Sequence, residues 1–327
     1  MFVLGIQGSP RKNGNSNFLL SSFLRECEAL GAEAEVINAQ DLDIHPCKEL
    51  IVCEKKGFCP IKDEMESQGY SRLRQADLVV LASPVFFYNV TAQAKIFIDR
   101  CQMFWGRKYK LGLKDPDRFT RQGFLLSVAA SGGKRLFEGV ELTAKYFFDA
   151  ISADFSGSLT YKKVEDAGQI IVRPELEQEI RDAASHLLAP EQNKKKLLFV
   201  SRKGKCRSLM AAAFAKEQTR GRVRVLAAGC EPGGDVDPGM LKAMESAGLD
   251  LKYWPVRPLD QVLAAEGELT DSDRVVFIGS PREIQNFSIP VGRIIKWEIS
   301  RPDTEDRESI EAARDQIKKQ VLSLAGS

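Results

Sequence analysis

Short apolar runs alternate along the first part of the chain with segments whose apolar residues recur at helical spacing. The segments "SNFLLSSFLRECEALG" (16–31) and "AQAKIFIDRCQMF" (92–104) predict helices, and another helix is predicted from about Pro174 to Leu188. The apolar runs predict five strands, "FVLGI" (2–6), "EAEVIN" (33–38), "DLVVLAS" (77–83), "GFLLSVA" (123–129) and "DFSGSLTY" (154–161). Such alternation is typical of a doubly wound parallel sheet, whose ligands bind at the carboxyl ends of the strands.

A polar, proline-containing stretch at 189–195 predicts a linker, and the alternation restarts after it. The later runs predict four more strands, "KLLFV" (196–200), "RVRVLAA" (222–228), "DRVVFIG" (273–279) and "GRIIKW" (292–297). Helices are predicted at about 208–218, 238–247 and 305–324. The fold class is therefore α/β, with two doubly wound parallel-sheet domains: a five-stranded unit at 1–188 and a four-stranded unit at 196–327.

Composition narrows the class of protein. The chain has 327 residues, 28% of them charged, and a formal net charge of +2. This balance gives no reason to expect nucleic acid or a membrane surface as a partner, and no apolar run approaches the roughly 18 residues that a bilayer span needs. Glycine and basic residues interrupt the first segment, so it does not resemble a signal peptide. The seven irregularly spaced cysteines favour free thiols or a metal site in a cytoplasmic protein. We also expect a homo-oligomer.

The loop "GSPRKNGNSNFLL" (8–20) follows the first strand and opens the first helix. Its glycines do not have the G-x-G-x-x-G spacing of a dinucleotide site. Its hydroxyl and amide side chains could surround a phosphate at the helix N-terminus, where free N–H groups favour an anion. Alternatively, the loop is a tight turn capped by Ser16. The loop alone leaves both interpretations open.

Two further loops favour the first interpretation. "ASPVFFYNVTAQAKIFIDR" (82–100) follows the third strand and "AASGGKR" (129–135) the fourth. With "GSPRKNGNS", they resemble the NAD(P)H-dependent FMN reductases of flavodoxin-like fold, and more narrowly the iron–sulfur flavoproteins. The resemblance implies FMN, with NAD(P)H as electron donor and a small-molecule acceptor. It implies a phosphate site at Ser9, Arg11, Asn13, Asn15 and Ser16, and a flavin-ring site at Pro84, Val85, Phe86, Phe87, Tyr88, Asn89, Ser131 and Gly132.

Iron–sulfur flavoproteins carry four cysteines spaced C-x2-C-x2-C-x5-C, which hold a cluster. Here "CKELIVCEKKGFCPIKDEM" supplies Cys47, Cys53 and Cys59, whereas the second cysteine position is Leu50. Leucine cannot ligate iron. We therefore expect a degenerate motif with no bound metal, whose loop shields the flavin or forms a subunit contact. A three-cysteine cluster or a ligand from outside the motif is the alternative.

The stretch "LLFVSRKGKCRSLMAAAFA" opens the second domain and resembles the C-x5-R-S loop of low-molecular-weight protein tyrosine phosphatases and related arsenate reductases. Later segments agree in order: "AAGCEPGGDVDPGMLKAMESAGLDL", "SDRVVFIG" and "KWEISRPDTED". The resemblance implies a strand, a loop and a helix N-terminus that together hold an oxyanion. The implied anion-binding residues are Ser201, Lys203, Gly204, Lys205, Cys206, Arg207 and Ser208.

The catalytic residues of that family are missing here. Its nucleophilic cysteine corresponds to Ser201, and serine cannot be ionised by the pKa shifts that activate a thiol at a helix N-terminus. The position of the general acid is Arg301, with Asp303 on the far side of Pro302. Lys203 and Gly204 replace the glycine and asparagine of the loop, and "GSPREIQNFS" supplies none of the extra cysteines of arsenate reductases. We expect a pseudophosphatase that binds an oxyanion.

The sequence therefore predicts an FMN-dependent NAD(P)H oxidoreductase fused to a pseudophosphatase domain. The alternative is a non-enzymatic sensor or scaffold, in which FMN or the anion sets the conformation of an assembly. An active phosphatase or arsenate reductase is a third interpretation, but no nucleophile is available. The only histidines are His45 and His186, and Cys206, directly before Arg207, is misplaced for in-line attack.

Overall fold

The computed structural model describes residues 1–267, 269–280, 282–283 and 293–325, and the chain divides into two compact units. The first unit consists of Met1–Gly112 and Thr120–Gln192, and the second of Leu113–Phe119 and Asn193–Ser327. Each unit contains one parallel sheet, so the predicted α/β class with two doubly wound sheets is confirmed. None of the helices in the described ranges has the length and apolar character needed to cross a membrane.

The sheet of the first unit has five parallel strands in the order β2-β1-β3-β4-β5. They are β1 Phe2–Gln7, β2 Glu33–Asn38, β3 Leu78–Pro84, β4 Gln122–Ala129 and β5 Asp154–Lys162. This is the flavodoxin strand order. In such sheets the ligand binds at the carboxyl ends of the strands, beside the point between β1 and β3 where the strand order reverses. The loops after β1, β3 and β4 therefore emerge at one edge of the sheet.

The helices of the first unit are α1 Asn15–Ala29, α2 Val52–Lys56, α3 Tyr70–Gln75, α4 Ala92–Arg100, α5 Gln102–Trp105, α6 Glu138–Ala150 and α7 Leu176–Gln192. Helices α1 and α7 pack together on the sheet, where Phe23 stacks on Phe124 of β4 with 5.4 Å between ring centroids. The central strands β1, β3 and β4 are almost wholly buried, which explains their continuous apolar runs.

The second unit has four parallel strands in the order β7-β6-β8-β9. They are β6 Lys196–Ser201, β7 Arg224–Gly229, β8 Arg274–Gly279 and β9 Arg293–Glu298. Its helices are α8 Arg207–Thr219, α9 Pro238–Ser246, α10 Leu259–Glu266 and α11 Arg307–Ala325. Helices α8, α9 and α11 share one apolar cluster, and α10 packs with Leu198, Val200 and Val275 in another.

Two features of the chain path differ from the sequence prediction. Helix α7 continues to Gln192, so the first four residues of the predicted linker are helical. The segment Leu113–Phe119 belongs to the second unit, although it lies between elements of the first. The N–H of Lys114 donates to the carbonyl of Gly248 at 2.9 Å, and Arg118 Nη2 donates to Glu217 Oε2 at 2.8 Å. Because these contacts join segments that are distant along the chain, no local sequence pattern predicts them.

Helix α6 was not predicted, although its signal was present. Val140, Ala144, Phe147 and Phe148 are its buried residues, and their spacing is that of one helix face. The helices α2, α3 and α10 were also not predicted. They have five to eight residues, too few for the apolar period to stand out.

Candidate functional site

The loop after β1 leads into a helix N-terminus that no side chain caps. The N-cap of α1 is Gly14, and no side-chain hydrogen bond closes that end. Ser16 lies within the first turn of the helix, so the alternative of a turn capped by Ser16 is wrong. In the described structure, the backbone N–H groups of Asn15 and Ser16 have no protein acceptor. These donors and the helix dipole favour an anion at this position.

A buried polar atom at the end of β1 also lacks a partner. The side chain of Gln7 is 1% exposed, and its Oε1 accepts a hydrogen bond from the Ser9 N–H at 3.1 Å. Its Nε2 group makes no hydrogen bond to any described residue. A buried donor without an acceptor costs about 1–3 kcal/mol. A ligand oxygen at this edge would remove that cost, so the residues present fit a polar cofactor.

The residues predicted to bind the phosphate have different surroundings. Ser9 and Ser16 are buried, while Arg11 and Asn13 are exposed. Ser9 Oγ accepts from the Arg11 N–H at 3.2 Å, which sets the turn of the loop. The side chain of Asn15 donates to the carbonyl of Asp166 at 2.8 Å and accepts from the Ile170 N–H at 3.3 Å. It therefore positions the segment after β5, and its backbone N–H remains for an anion.

Thr91 joins the loops after β1 and β3, and sequence reasoning did not single it out. Its hydroxyl donates to the carbonyl of Gly8 and accepts from the Ala94 N–H at 3.2 Å, where it caps α4. The N–H of Gly8 donates to the carbonyl of Ala82 at 2.8 Å. A Cβ on Gly8 would lie 2.7 Å from the Cβ of Ala94, so this close approach requires glycine. A threonine directly before a helix was the available signal.

The aromatic residues after β3 form a tight hairpin. Phe86 and Asn89 exchange backbone hydrogen bonds of 2.8 and 2.9 Å, and Phe87 and Tyr88 have left-handed φ values of 49° and 62°. Non-glycine residues rarely adopt this conformation, and such strained residues tend to cluster at active sites and ligand-binding loops. Phe86, Phe87 and Tyr88 are exposed, Phe87 completely at 102%. Asn89 is fixed by its Oδ1, which accepts from Thr143 Oγ1 at 2.9 Å.

The loop after β4 lies beside this hairpin. Gly139, at the start of α6, lies so close to the carbonyl of Tyr88 that a Cβ there would be 2.1 Å from its oxygen. Ser131 and Gly132 are exposed, and the carbonyl of Ser131 accepts from the Lys163 N–H at 3.3 Å. The three loops selected from the sequence thus lie at one sheet edge, with the segment after β5 beside them.

The cysteine segment is held by two buried arginines. Arg100 pairs with Asp63, donates to the carbonyl of His45 at 2.9 Å and contacts Cys59 Sγ at 3.5 Å. Arg107 donates to the carbonyl of Gly57 at 2.9 Å. Burial alone would raise the pKa of Asp63, but hydrogen bonds from Arg100 and from backbone N–H groups hold it below its usual range.

The thiols of this segment have no metal-binding geometry in the described residues, where no three His, Cys, Asp or Glu side chains are grouped to hold an ion. Cys47 is exposed, and Leu50 is 53% exposed. The pKa of Cys53 is raised by its burial and by the nearby Cys59 and Cys47. The two arginines contact this segment at His45, Gly57, Cys59 and Asp63.

The second unit repeats the strand–loop–helix arrangement. Strand β6 ends at Ser201, and α8 begins at Arg207, where no side chain caps the helix. Gly204 has a left-handed φ of 70°, and a Cβ there would lie 2.8 Å from the backbone of Gly229. The backbone N–H groups of residues 203–208 have no protein acceptor in the described parts of the chain. The loop can therefore donate several hydrogen bonds to an oxyanion.

The hydroxyl and thiol side chains of this loop are Ser201, Ser208 and Cys206. Ser201 Oγ donates to Ser208 Oγ at 3.0 Å, and both hydroxyls are buried. Burial and, to a lesser extent, Asp237 raise the pKa of Cys206 to about 12, so its thiol is protonated at neutral pH. Arg301 is exposed, and Asp303 Oδ1 accepts from the Glu305 N–H at 3.0 Å.

Arg207 is buried and already has protein partners. Its Nη1 donates to the carbonyl of Ile299 at 2.7 Å, and its Nη2 lies 3.5 Å from Glu283 Oε2. Sequence reasoning missed Glu283. Its signal is the S-x-x-E spacing of "SPRE", which is typical of a capping box.

Comparison with known proteins agrees with both arrangements. Residues 1–153 match the family model of NADPH-dependent FMN reductase, and residues 196–327 match that of low molecular weight phosphotyrosine protein phosphatase. Each match covers less than half of the chain, the first in the five-stranded unit and the second in the four-stranded unit. Both resemblances found in the sequence are thereby confirmed.

Several relatives that match part of the chain are iron–sulfur flavoproteins. One from Archaeoglobus fulgidus is 44% identical over 101 residues, which are 31% of this chain and 45% of that protein. Another from Methanosarcina thermophila is 32% identical over 131 residues, which are 40% of this chain and 64% of that protein. The chain spans about half the length of the curated relatives it matches.

Solved structures resemble each of the two domains. One is an FMN-dependent NADH-azoreductase from Bacillus anthracis in complex with FMN, which is 15% identical with a TM-score of 0.45. The match covers 57% of this chain and 99% of the azoreductase chain. Another is an arsenate reductase from Archaeoglobus fulgidus, which is 23% identical with a TM-score of 0.35. The match covers 40% of this chain and 99% of the arsenate reductase chain.

Proposed function

We propose that the FMN-reductase domain binds FMN and transfers electrons from NADH or NADPH to a small-molecule acceptor. The observation that carries this proposal is the uncapped N-terminus of α1 beside the unpaired amide of Gln7, at the edge where three loops meet. The phosphate would be held by Ser9, Arg11, Asn13, the N–H groups of Asn15 and Ser16, and the hydroxyl of Ser16. The ring would lie along residues 84–89 and 131–132.

Bound FMN supplies two-electron redox chemistry, and the chain's own residues bind and orient it. The phosphate loop fixes one end of the cofactor through N–H donors at a helix N-terminus, an arrangement suited to a dianion. Thr91 fixes this loop relative to the aromatic hairpin through its bond to Gly8. The exposed rings of Phe86, Phe87 and Tyr88 provide flat apolar surface beside the site.

The absorbance spectrum and the steady-state oxidation of NADH and NADPH test this proposal together. We expect a yellow protein, or one that takes up one FMN per chain, and turnover with a quinone or free flavin as acceptor. FMN binding without turnover would favour the sensor or scaffold instead. A protein that binds no FMN would contradict both functions of this domain.

For the cysteine segment we propose a structural role without a full cluster. Leu50 occupies a ligand position, and the two arginines hold the segment in place. Protein purified without oxygen should contain less than one four-iron cluster per chain. Iron near four atoms per chain with matching sulfide would show that another ligand replaces the missing thiolate.

For the phosphatase-family domain we propose oxyanion binding without phosphoester turnover. The loop offers N–H donors around Arg207, while Ser201 replaces the nucleophile and Arg301 the acid. Hydrolysis requires both an ionised nucleophile and a proton donor for the leaving group. Hydrolysis of para-nitrophenyl phosphate at an ordinary enzymatic rate, abolished by Arg207→Ala, would show that the domain is an active phosphatase.

A further inference from the structure

Glu283 is fixed in place by its own backbone. The N–H of Ser280 donates to Glu283 Oε2 at 2.8 Å, and the N–H of Glu283 donates to Ser280 Oγ at 3.4 Å. This reciprocal pair is the capping-box pattern, in which the glutamate side chain turns back toward the residue three positions earlier. The carboxylate is therefore held at a defined position at the end of β8.

That position places the carboxylate against the arginine of the anion loop. Glu283 Oε2 lies 3.5 Å from Arg207 Nη2, and the Arg207 side chain is only 6% exposed. The other end of the guanidinium donates to the carbonyl of Ile299 at 2.7 Å. A buried arginine is seldom left without an anionic partner, because an unpaired buried charge costs several kcal/mol. Glu283 supplies that partner from within the chain.

The exposed positive charges of the same loop are also paired. Arg202 Nε lies 2.9 Å from Glu231 Oε2, and Lys203 Nζ lies 3.8 Å from the same oxygen. Glu231 is 57% exposed, so this pairing is solvated and weak, whereas the Arg207–Glu283 pair is mostly shielded from water. The ion pair of Glu283 is therefore stronger than the ion pairs of Glu231, although each carboxylate neutralises part of the positive charge of the loop.

We propose that Glu283 is a built-in anion that occupies Arg207 and must release it before an external oxyanion can bind. This inference rests on the proposed oxyanion site and adds the residue that controls its affinity. An inorganic dianion such as phosphate then competes with a tethered carboxylate for the same guanidinium. The loop keeps its backbone donors, but the affinity of the unmodified protein is set by this competition.

The inference is tested by titrating the full chain with inorganic phosphate in a calorimeter at fixed ionic strength. Binding that Arg207→Ala removes is assigned to this site, which separates it from any phosphate bound by the first domain. Glu283→Gln keeps a hydrogen-bond acceptor for Ser280 but removes the charge. We expect it to bind phosphate at least about tenfold more tightly, since hydrogen bonds between charged groups are about twice as strong as neutral ones.

Glu231→Gln is the matched control, because it removes the same charge from the neighbourhood of the same loop. It should change phosphate affinity by less than about twofold, the usual effect of an exposed ion pair. Ser280→Ala should give a smaller gain than Glu283→Gln, since it only loosens the capping box. It also keeps the test open if thermal unfolding shows that Glu283→Gln is misfolded.

The outcomes distinguish this inference from the function on which it rests. Equal, Arg207-dependent affinity in the unmodified protein and in Glu283→Gln would overturn the role of Glu283 and leave the oxyanion site intact. An equal gain in Glu231→Gln would also overturn it, because net charge would then be the cause. No Arg207-dependent binding in any folded variant would overturn both the inference and the oxyanion site.

Discussion

The two phosphate-type loops of this chain have the same backbone plan but differ in whether their buried donors have partners within the chain. Each follows a buried parallel strand and ends at a helix N-terminus without a side-chain cap. Beside the first loop, the buried amide of Gln7 lacks an acceptor. In the second, carboxylates of the same chain face Arg202, Lys203 and Arg207.

This difference shows that a strand–loop–helix pattern does not by itself define an open anion site. Helix N–H groups attract any nearby anion, whether it comes from a ligand or from the chain. The first loop has a donor that needs an external acceptor. The second loop has carboxylates of the same chain beside its cationic side chains, and we propose that it binds an oxyanion without turning over phosphoesters.

The largest expected effect concerns the phosphate group of the flavin. FMN should bind at least about a hundredfold more tightly than riboflavin, since each hydrogen bond to a charged group contributes about 1.5–3 kcal/mol. Flavin fluorescence quenching by the apoprotein measures both affinities. Equal affinities would contradict the assignment of the first loop as an open phosphate site.

The second expected effect concerns the geometry of the first loop. Gly8→Ala places a methyl group 2.7 Å from the Cβ of Ala94 and should displace the loop from Thr91. We expect FMN affinity to fall by about tenfold or more, which corresponds to about 1.4 kcal/mol. Gly233→Ala is the control, because nothing lies within 4 Å of an added Cβ there. Unchanged FMN affinity in Gly8→Ala would show that the cofactor does not depend on this loop.

A third prediction tests whether one substitution reopens the second loop. Ser201→Cys should give at most about one para-nitrophenol per chain from the aryl phosphate, because a trapped intermediate has no acid or base to complete the cycle. Alkyl phosphates, whose leaving groups need protonation, should not react. A stopped-flow burst measurement distinguishes this from turnover. Sustained turnover would mean that Asp303 or another residue acts as the acid.

The smallest expected effect concerns the segment Leu113–Phe119 in the second unit. Arg118 pairs with Glu217 and lies over the ring of Phe119, with 4.1 Å from its guanidinium carbon to the ring centre. Arg118→Ala should reduce the free energy of unfolding of this unit by about 1 kcal/mol. Denaturant unfolding followed by Trp254 and Trp297, in a Trp105→Phe background, measures the change.

The control for Arg118 is Arg307→Ala, which removes an ion pair with Glu311 whose arginine is 82% exposed. It should cost less than about 0.5 kcal/mol. Equal small effects for both substitutions would mean that the Arg118 side chain stabilises the second unit no more than an exposed ion pair does.

The sequence by itself determined the two sheets, the nine strands that the described residues form, the main helices and the position of both phosphate-type loops. These features rest on local patterns: continuous apolar runs for buried strands, helical spacing for helices, and small polar residues between them. Helix α6 was within reach of the same reasoning, because its buried residues have regular spacing. The resemblance of the loops to two families added the expected ligands.

Only the tertiary structure decided which donors and charges of those loops have a partner within the chain. The bond from Thr91 to Gly8 joins residues 83 positions apart, and that from Asn15 to Asp166 spans 151 positions. The pair between Arg207 and Glu283 spans 76 positions. Parallel strands bring loops that are distant in sequence to one sheet edge, so the partner of each charge depends on strand order and register, which no local pattern encodes.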